Sequence, residues 1–249
     1  MIVLILDQLL PAITHIINSS LDIGAFPCLW KKALVRPLPK IPNPSLPNHF
    51  RPISILPFLS KALEACVHKQ LSAFIYENNL LSRFQSGFRP GHSTISTLLK
   101  VIGDVRSGME DSKLTVLVLI DFSNAFNAVN HDILSSILSY LMISQQALDW
   151  FSSYLRDRQH SVRVGDSSSA WSKLECGVPQ GGILSPLLFS IFINLITYNL
   201  QCSYHLYADD LQLYSQSSVD DISDAVGRVN RDLDAISNWS KAFGVAVNP

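Results

Sequence analysis

Leu114-Thr-Val-Leu-Val-Leu-Ile-Asp121 is an unbroken apolar run that ends on a carboxylate, and Ser203-Tyr-His-Leu-Tyr-Ala-Asp-Asp-Leu-Gln-Leu-Tyr-Ser215 carries two acids at its middle. The first run reads as a core strand covered on both faces. The second reads as two short strands bent at Asp209-Asp210, because Leu206 with Ala208 and Leu211 with Leu213 alternate against more polar neighbours. If these strands are neighbours in one sheet, Asp121, Asp209 and Asp210 converge. Oxygen-rich clusters of this kind bind Mg²⁺, and two such ions roughly 3.5–4 Å apart stabilise the attacking and leaving oxygens of a phosphoryl transfer. An isolated Asp-Asp pair is equally what a turn demands, so the company it keeps decides its meaning.

Helices are expected on either side of these strands. One fits from Ser60, as N-cap, through Leu63, Val67, Leu71 and Phe74 to a stop at Asn78-Asn79. Asp132 and Ser144 are candidate caps for two more, and Ser185-Pro186 has the chemistry of a helix start. A last helix fits Ile222 to Ile236, with Gly244 as its C-terminal stop before Val245-Ala-Val247 opens another strand. Prolines at 27, 37, 39, 42, 44, 47, 52 and 57 make the intervening stretch one of extended segments and turns. The apolar run Met1 to Leu6 is too short to span a bilayer and reads as the opening of a buried helix.

With 249 residues and 47% hydrophobic content, the chain can build a substantial core. The net charge of −1 conceals an asymmetry: residues 1–113 hold 12 Lys and Arg against 7 Asp and Glu, and residues 114–249 hold 7 against 13. A basic half suits phosphate contacts, and an acidic half beside the same polyanion needs another source of positive charge, such as bound metal; the alternative is an accidental imbalance of solvated surface charges, between which the motifs decide. Cys28, Cys66, Cys176 and Cys202 form no Cys-x-x-Cys pair, which argues against a zinc site and a disulfide framework and leaves no disulfide-linked partner expected.

Asp121-Phe-Ser-Asn-Ala-Phe126, Gly177-Val-Pro-Gln-Gly-Gly-Ile-Leu-Ser-Pro186 and Tyr207-Ala-Asp-Asp210 stand in the order of the palm motifs of reverse transcriptases. They resemble above all the enzymes of retrotransposons without long terminal repeats, the LINE or jockey type. Trp30 to Lys40, Phe50-Arg-Pro-Ile-Ser54 and Gln85-Ser-Gly-Phe-Arg89 resemble the fingers motifs of the same family, so the likeness covers roughly residues 26–249. It implies an α+β right-hand polymerase fold, with a ferredoxin-like palm on an antiparallel sheet. Fingers with an N-terminal helical extension are expected over 1–113 and a palm over 114–249. The palm is expected to be cut short, with no thumb.

The implied activity is RNA-directed DNA polymerisation, with an RNA template, a DNA primer and dNTP as partners, two Mg²⁺ ions (Mn²⁺ as a substitute) and no membrane. The implied address is intracellular, in the nucleus and a cytoplasmic ribonucleoprotein. By position, Asp121 and Asp209 resemble the principal metal ligands and Asp210 a weaker one. Phe126 resembles the ring that excludes a 2′-hydroxyl, and is otherwise a core Phe. Gln180 and Gly181 resemble the loop beside the nascent base pair. Arg51 and Lys40 resemble the triphosphate-binding cations, Lys40 being otherwise a loop lysine. Gln85, Gly87, Phe88 and Arg89 resemble template contacts, which His92, Ser93 and Thr94 either extend or leave in order to begin a helix. Asn124 and Asn127 depart from the family's usual Lys and Asp, so a catalytically inactive remnant that only folds or binds RNA is the alternative.

Overall fold

A computed structural model describes residues 6–248. Of the run Met1 to Leu6, residues 1–5 lie outside the described part. In chain order the helices are α1 (Leu6–Ile23), α2 (Phe58–Glu77), α3 (Thr94–Glu110), α4 (Ala125–Ala128), α5 (His131–Tyr140), α6 (Gln145–Leu155), α7 (Ser185–Ile193) and α8 (Ile222–Phe243). The strands are β1 (Lys32–Pro39), β2 (Phe50–Ile55), β3 (Leu114–Asp121), β4 (Arg158–Val164), β5 (Ser167–Ser168), β6 (Ser172–Leu174), β7 (Ser203–Tyr207) and β8 (Asp210–Ser217). None of the described helices is long and apolar enough to cross a membrane.

Packing divides the chain into two discontinuous units, Met1–Ser72 with Asn130–Ser185 and Ala73–Val129 with Pro186–Pro249. The charge asymmetry, by contrast, falls at a single cut before Leu114. The two divisions differ because β4 pairs in parallel with β1, Lys32 opposite Gln159 and Val35 opposite Val162, which joins the Asn130–Ser185 stretch to the N-terminal one.

In the first unit the sheet runs β2-β1-β4-β5, with β6 also on β4. The proline-rich stretch forms its β1–β2 hairpin, consistent with the extended segments expected there. Ala33 and Val35 turn one way into the core, while Lys32 and Arg36 turn the other way and are exposed. Phe26 meets Trp30, Trp150 and Tyr154 edge-on, and the Trp150 indole donates to Ser20 Oγ at 3.0 Å. Arg158, only 2% exposed, lays its guanidinium 4.8 Å from the Tyr154 ring centroid and donates to the Tyr154 carbonyl. The helix opened by the N-terminal run is not buried: Leu9, Leu10, Ile16 and Ile23 are all exposed.

In the second unit β3, β8 and β7 form an antiparallel sheet with β8 in the middle. α8 buries Ala225, Val229, Ile236 and Trp239 and makes most of its strand contacts with β8. α3 meets the sheet through Asp104, whose carboxylate accepts the Tyr214 hydroxyl and whose carbonyl accepts Gln216 Nε2 at 2.7 Å. β3 is therefore not covered on both faces as its composition suggests. It is an edge strand, and Leu117 and Leu119 are exposed on the side that carries Asp121.

Several caps also sit elsewhere than expected. α2 begins two residues before Ser60, with Lys61 N bonded to Pro57 O, and the Ser60 hydroxyl donates to Glu64 Oε1 at 3.0 Å instead of capping. Asn130, not Asp132, caps α5 by accepting from Asp132 N and Ile133 N. Ser93 caps α3, so Ser93 and Thr94 begin that helix. Ser144 and Gly244, at φ 71°, sit at their helix ends as expected. Of Val245-Ala-Val247, Val247 alone forms an isolated bridge, to Phe122, in place of a full strand.

Candidate active site

The β3–β8 register ends with Asp121 opposite Asp210. Directly opposed residues have Cβ atoms about 4.5–5.5 Å apart, so two carboxylates project from the same face of the sheet. Burial, and then the Asp121 charge, raise the Asp210 pKa above the ordinary carboxylate value. Asp121 Oδ2 accepts from Asn248 Nδ2 at 3.0 Å, and its carbonyl accepts Asn248 N at 2.8 Å. Asn248 carries no motif signal and was not a sequence candidate. Asp209 lies with Ala208 in the two-residue connection between β7 and β8. Among the described residues no group of three or more His, Cys, Asp or Glu is arranged to hold a metal ion, so the convergence seen is that of Asp121 and Asp210.

The like charges at this pair make a first prediction. An acid whose folded-state pKa is raised is easiest to fold while protonated, so stability is highest at low pH and falls as pH rises from its ordinary value through the raised one. Above that window Asp210→Asn relieves the repulsion. In metal-free protein at neutral pH the variant is expected to melt about 1–3 °C higher, given the few tenths to 1 kcal/mol typical of opposed like charges. A variant that melts no higher than wild type at neutral pH contradicts this account.

The hairpin tip is held from behind. Ala208 has φ 55°, a left-handed conformation that costs a non-glycine residue roughly 1–2 kcal/mol. Segment 84–87 lies along β7, with Leu206 N bonded to Phe84 O and Ser86 N to Leu206 O, both at 2.9 Å. Gly87 then touches the tip itself: a Cβ there would sit 2.1 Å from Ala208 N. The motif Gln85-Ser-Gly-Phe-Arg89 thus serves as a brace for the acid-bearing hairpin. Gln85 is fully buried and donates to Ser190 O at 3.0 Å, and Arg89 donates to Ser82 O and lies over Tyr76. Of the four candidate template residues, Phe88 alone is exposed. The Ser86 hydroxyl bridges His205 Nε2 at 2.8 Å and His92 Nδ1 at 2.9 Å.

Phe126 is half-buried on the short helix after β3. Its ring stacks on Phe189 with centroids 4.4 Å apart and meets Phe88 edge-on at 5.8 Å. Two neighbours therefore fix its plane. Asn124, the first departure from the family pattern, has φ 49°, and Asn is among the residues that best tolerate that region.

In the first unit, Arg51 lies opposite Leu38 and Lys40 bonds His49 O through its backbone. Both side chains are exposed and enter no ion pair among the described residues. The Gln180 carbonyl accepts Ser54 N at 2.6 Å, which ties the Pro-Gln-Gly loop to β2. Gly181 has φ 128°, and a Cβ on it would meet Ser54 O at 2.4 Å, so only glycine fits. Glu64, buried completely, accepts Ile183 N at 2.8 Å and Leu184 N at 3.2 Å, and so satisfies two amides of the loop that follows Gly181. No sequence signal marked Glu64. Glu64→Ala strands those amides at a cost of about 1–3 kcal/mol, so melting is expected to fall by about 3–10 °C. Glu64→Gln, which keeps an acceptor, should lose less; equal melting of both variants and wild type refutes the anchor.

The family profile described as reverse transcriptase (RNA-dependent DNA polymerase) matches residues 40–249. Among curated proteins the chain is 33% identical to a probable RNA-directed DNA polymerase from transposon BS of Drosophila melanogaster, over 94% of this chain and 26% of that protein. It is 30% identical to the RNA-directed DNA polymerase from mobile element jockey of the same species, over 97% of this chain and 27% of the other. The chain thus spans about a quarter of the length of these relatives. Among solved structures, a Candida tropicalis apo telomerase truncated from its C-terminal domain matches with a TM-score of 0.63 and 14% identity, over 88% of this chain and 49% of that one. That likeness establishes the right-hand polymerase fold, and the motif order, the profile match and the mobile-element relatives together mean that the chain belongs to the reverse transcriptase family.

Proposed function

We propose that this chain is the nucleotidyl-transfer part of an RNA-directed DNA polymerase of a mobile element without long terminal repeats. It extends a primer 3′-hydroxyl with dNTP on an RNA template. The observation that carries the reading is the opposed pair Asp121 and Asp210, two like charges held together at a strand end with no cation among the described residues in an ion pair with either. That donor set fits a divalent cation, and members of the family generally use divalent metals. We assign Mg²⁺, two ions, to Asp121, Asp210 and Asp209. Bound ions of this kind neutralise charge on the attacking and leaving oxygens of a phosphoryl transfer.

The remaining roles belong to the chain's own groups. Arg51, and Lys40 beside it, bind triphosphate oxygens, for which a planar guanidinium is well shaped. The tethered Pro-Gln-Gly loop presents Gln180 and the bare backbone of Gly181 to the nucleotide. Phe126, fixed by Phe189 and Phe88, excludes a 2′-hydroxyl by bulk. Phe88 is left as the exposed member of its motif to meet the template. In this reading the fingers cations come from residues 1–113 and the palm acids from 114–249.

The direct test is primer extension on an RNA template with and without divalent metal, using the protein that contains this chain. Extension that persists in excess chelator refutes the reading. Phe126→Val should raise the use of ribonucleotides relative to deoxynucleotides by about tenfold or more, the scale of roughly 1.4 kcal/mol of lost steric exclusion. An unchanged ratio makes Phe126 a core residue only.

A further inference from the structure

The loop from Gly177 to Leu184 joins β6 to α7, and burial divides it. Gly177, Val178, Pro179, Gly182 and Leu184 are buried, whereas Gln180 is half-buried and Gly181 and Ile183 are exposed. The loop is sunk at both feet and surfaces around the two residues assigned above to the nucleotide. With glycine at three of its eight positions, its own backbone imposes little on that placement. Groups from elsewhere in the first unit must hold it.

Three tethers do so. Ser54 N holds Gln180 O, and Ser54 stands three positions after Arg51 on β2. Glu64 holds the far foot through the amides of Ile183 and Leu184. The near foot is held by His131, which no sequence signal marked: its Nε2 lies 2.8 Å from Gly177 O. A carbonyl oxygen only accepts, so Nε2 is the donor. His131 is 9% exposed, and burial above all lowers its pKa, which leaves the ring neutral at pH 7 with its proton on Nε2. Its backbone is fixed as well, because Asn130 caps α5 at that point by accepting from Asp132 N and Ile133 N. An imidazole turns about two torsions only, so its bond passes the position of α5 to the loop with little slack.

We infer that His131 and Glu64 are positioning residues for the nucleotide: they grip the loop 177–184 at its two ends and so set where Gln180 meets the incoming dNTP. The inference rests on the role given to Gln180 above. His131 is the more informative of the two, since loss of its bond frees the near foot while Glu64 and Ser54 still hold the rest of the loop.

Steady-state primer extension by the protein that contains this chain, with dNTP varied at saturating template and metal, is the test. Gln180→Ala, the reference, is expected to raise the KM for dNTP about tenfold. His131→Phe keeps a ring and removes the donor. It is expected to raise the same KM about fivefold and to change kcat by less than about twofold, as loss of uniform binding does. His131→Gln, whose amide can stand in for Nε2, should bring KM back to within about twofold of wild type. In a Gln180→Ala background His131→Phe should add less than about twofold, because the group it positions is gone. If His131→Phe does not fold, His131→Asn, a donor too short to reach Gly177 O, takes its place in each comparison. A raised KM in Gln180→Ala with none in the His131 variant overturns the proposal. So does an effect that His131→Gln fails to reverse, or one undiminished when Gln180 is absent, either of which makes His131 a packing residue only. Unchanged KM in Gln180→Ala itself refutes the role given to Gln180, and the inference with it, so the two failures are told apart.

Discussion

Asp121→Asn is expected to reduce primer extension by about a thousandfold while leaving the fold intact. Asp121 ends β3, where its backbone is already fixed by the ladder to β8 and by Asn248, so an isosteric amide disturbs no packing. What is lost is one formal negative charge from a pair whose partner, Asp210, is already pushed toward its neutral form by burial and by Asp121 itself. A divalent ion at this pair would face one carboxylate and one amide and would be held weakly. The loss of roughly 4 kcal/mol of charge stabilisation at the reacting oxygens corresponds to the factor stated. Steady-state extension at saturating dNTP over a range of metal concentrations is the measurement. A variant restored to the wild-type rate by more metal places Asp121 in affinity alone. A variant active at ordinary metal would remove it from the site.

The second large effect is expected at a residue with no side chain. Gly87→Ala puts a methyl group 2.1 Å from Ala208 N and 2.6 Å from its Cα, backbone that cannot swing aside as a flexible side chain would. The hairpin tip must move, and it carries the acids. Overpacking of this kind costs about 1–3 kcal/mol, which lowers melting by about 3–10 °C. A tip misplaced by about 1 Å costs extension about a hundredfold. The diagnostic combination is a folded protein with retained RNA binding and lost extension. Normal extension by Gly87→Ala would mean that the contact yields and that the brace has no part in placing the acids.

The hairpin bearing the acids was legible because its alternation and its bend are local properties of residues 203–215. The opposition of Asp121 and Asp210 was legible only as a possibility, since register across 89 positions is written in tertiary packing. The apolar run of β3 misled on burial: a strand of Leu and Val looks doubly covered, yet edge position left Leu117 and Leu119 open. β4 to β6 went unread because Arg158-Gln-His-Ser-Val-Arg-Val164 has little apolar alternation and owes its strand form to pairing with β1. Glu64 was invisible for the opposite reason. A glutamate in an amphipathic helix is ordinarily solvated, and only the amides of residues 183 and 184, far along the chain, explain its burial. Motif resemblance marked Gln85 and Gly87 as template contacts, while the contacts seen in the structure are with the hairpin and α7.

The hydrogen bonds of segment 84–87 to Leu206 have one more effect. β7 is an outer strand of its sheet, and an outer strand with free amides and carbonyls recruits other chains into mixed sheets. By occupying Leu206 on both its N–H and its C=O, the segment closes the middle of that border to intruders. The residues that align the acids therefore also protect solubility. Loosening them should first appear as concentration-dependent aggregation, before any change in helix content.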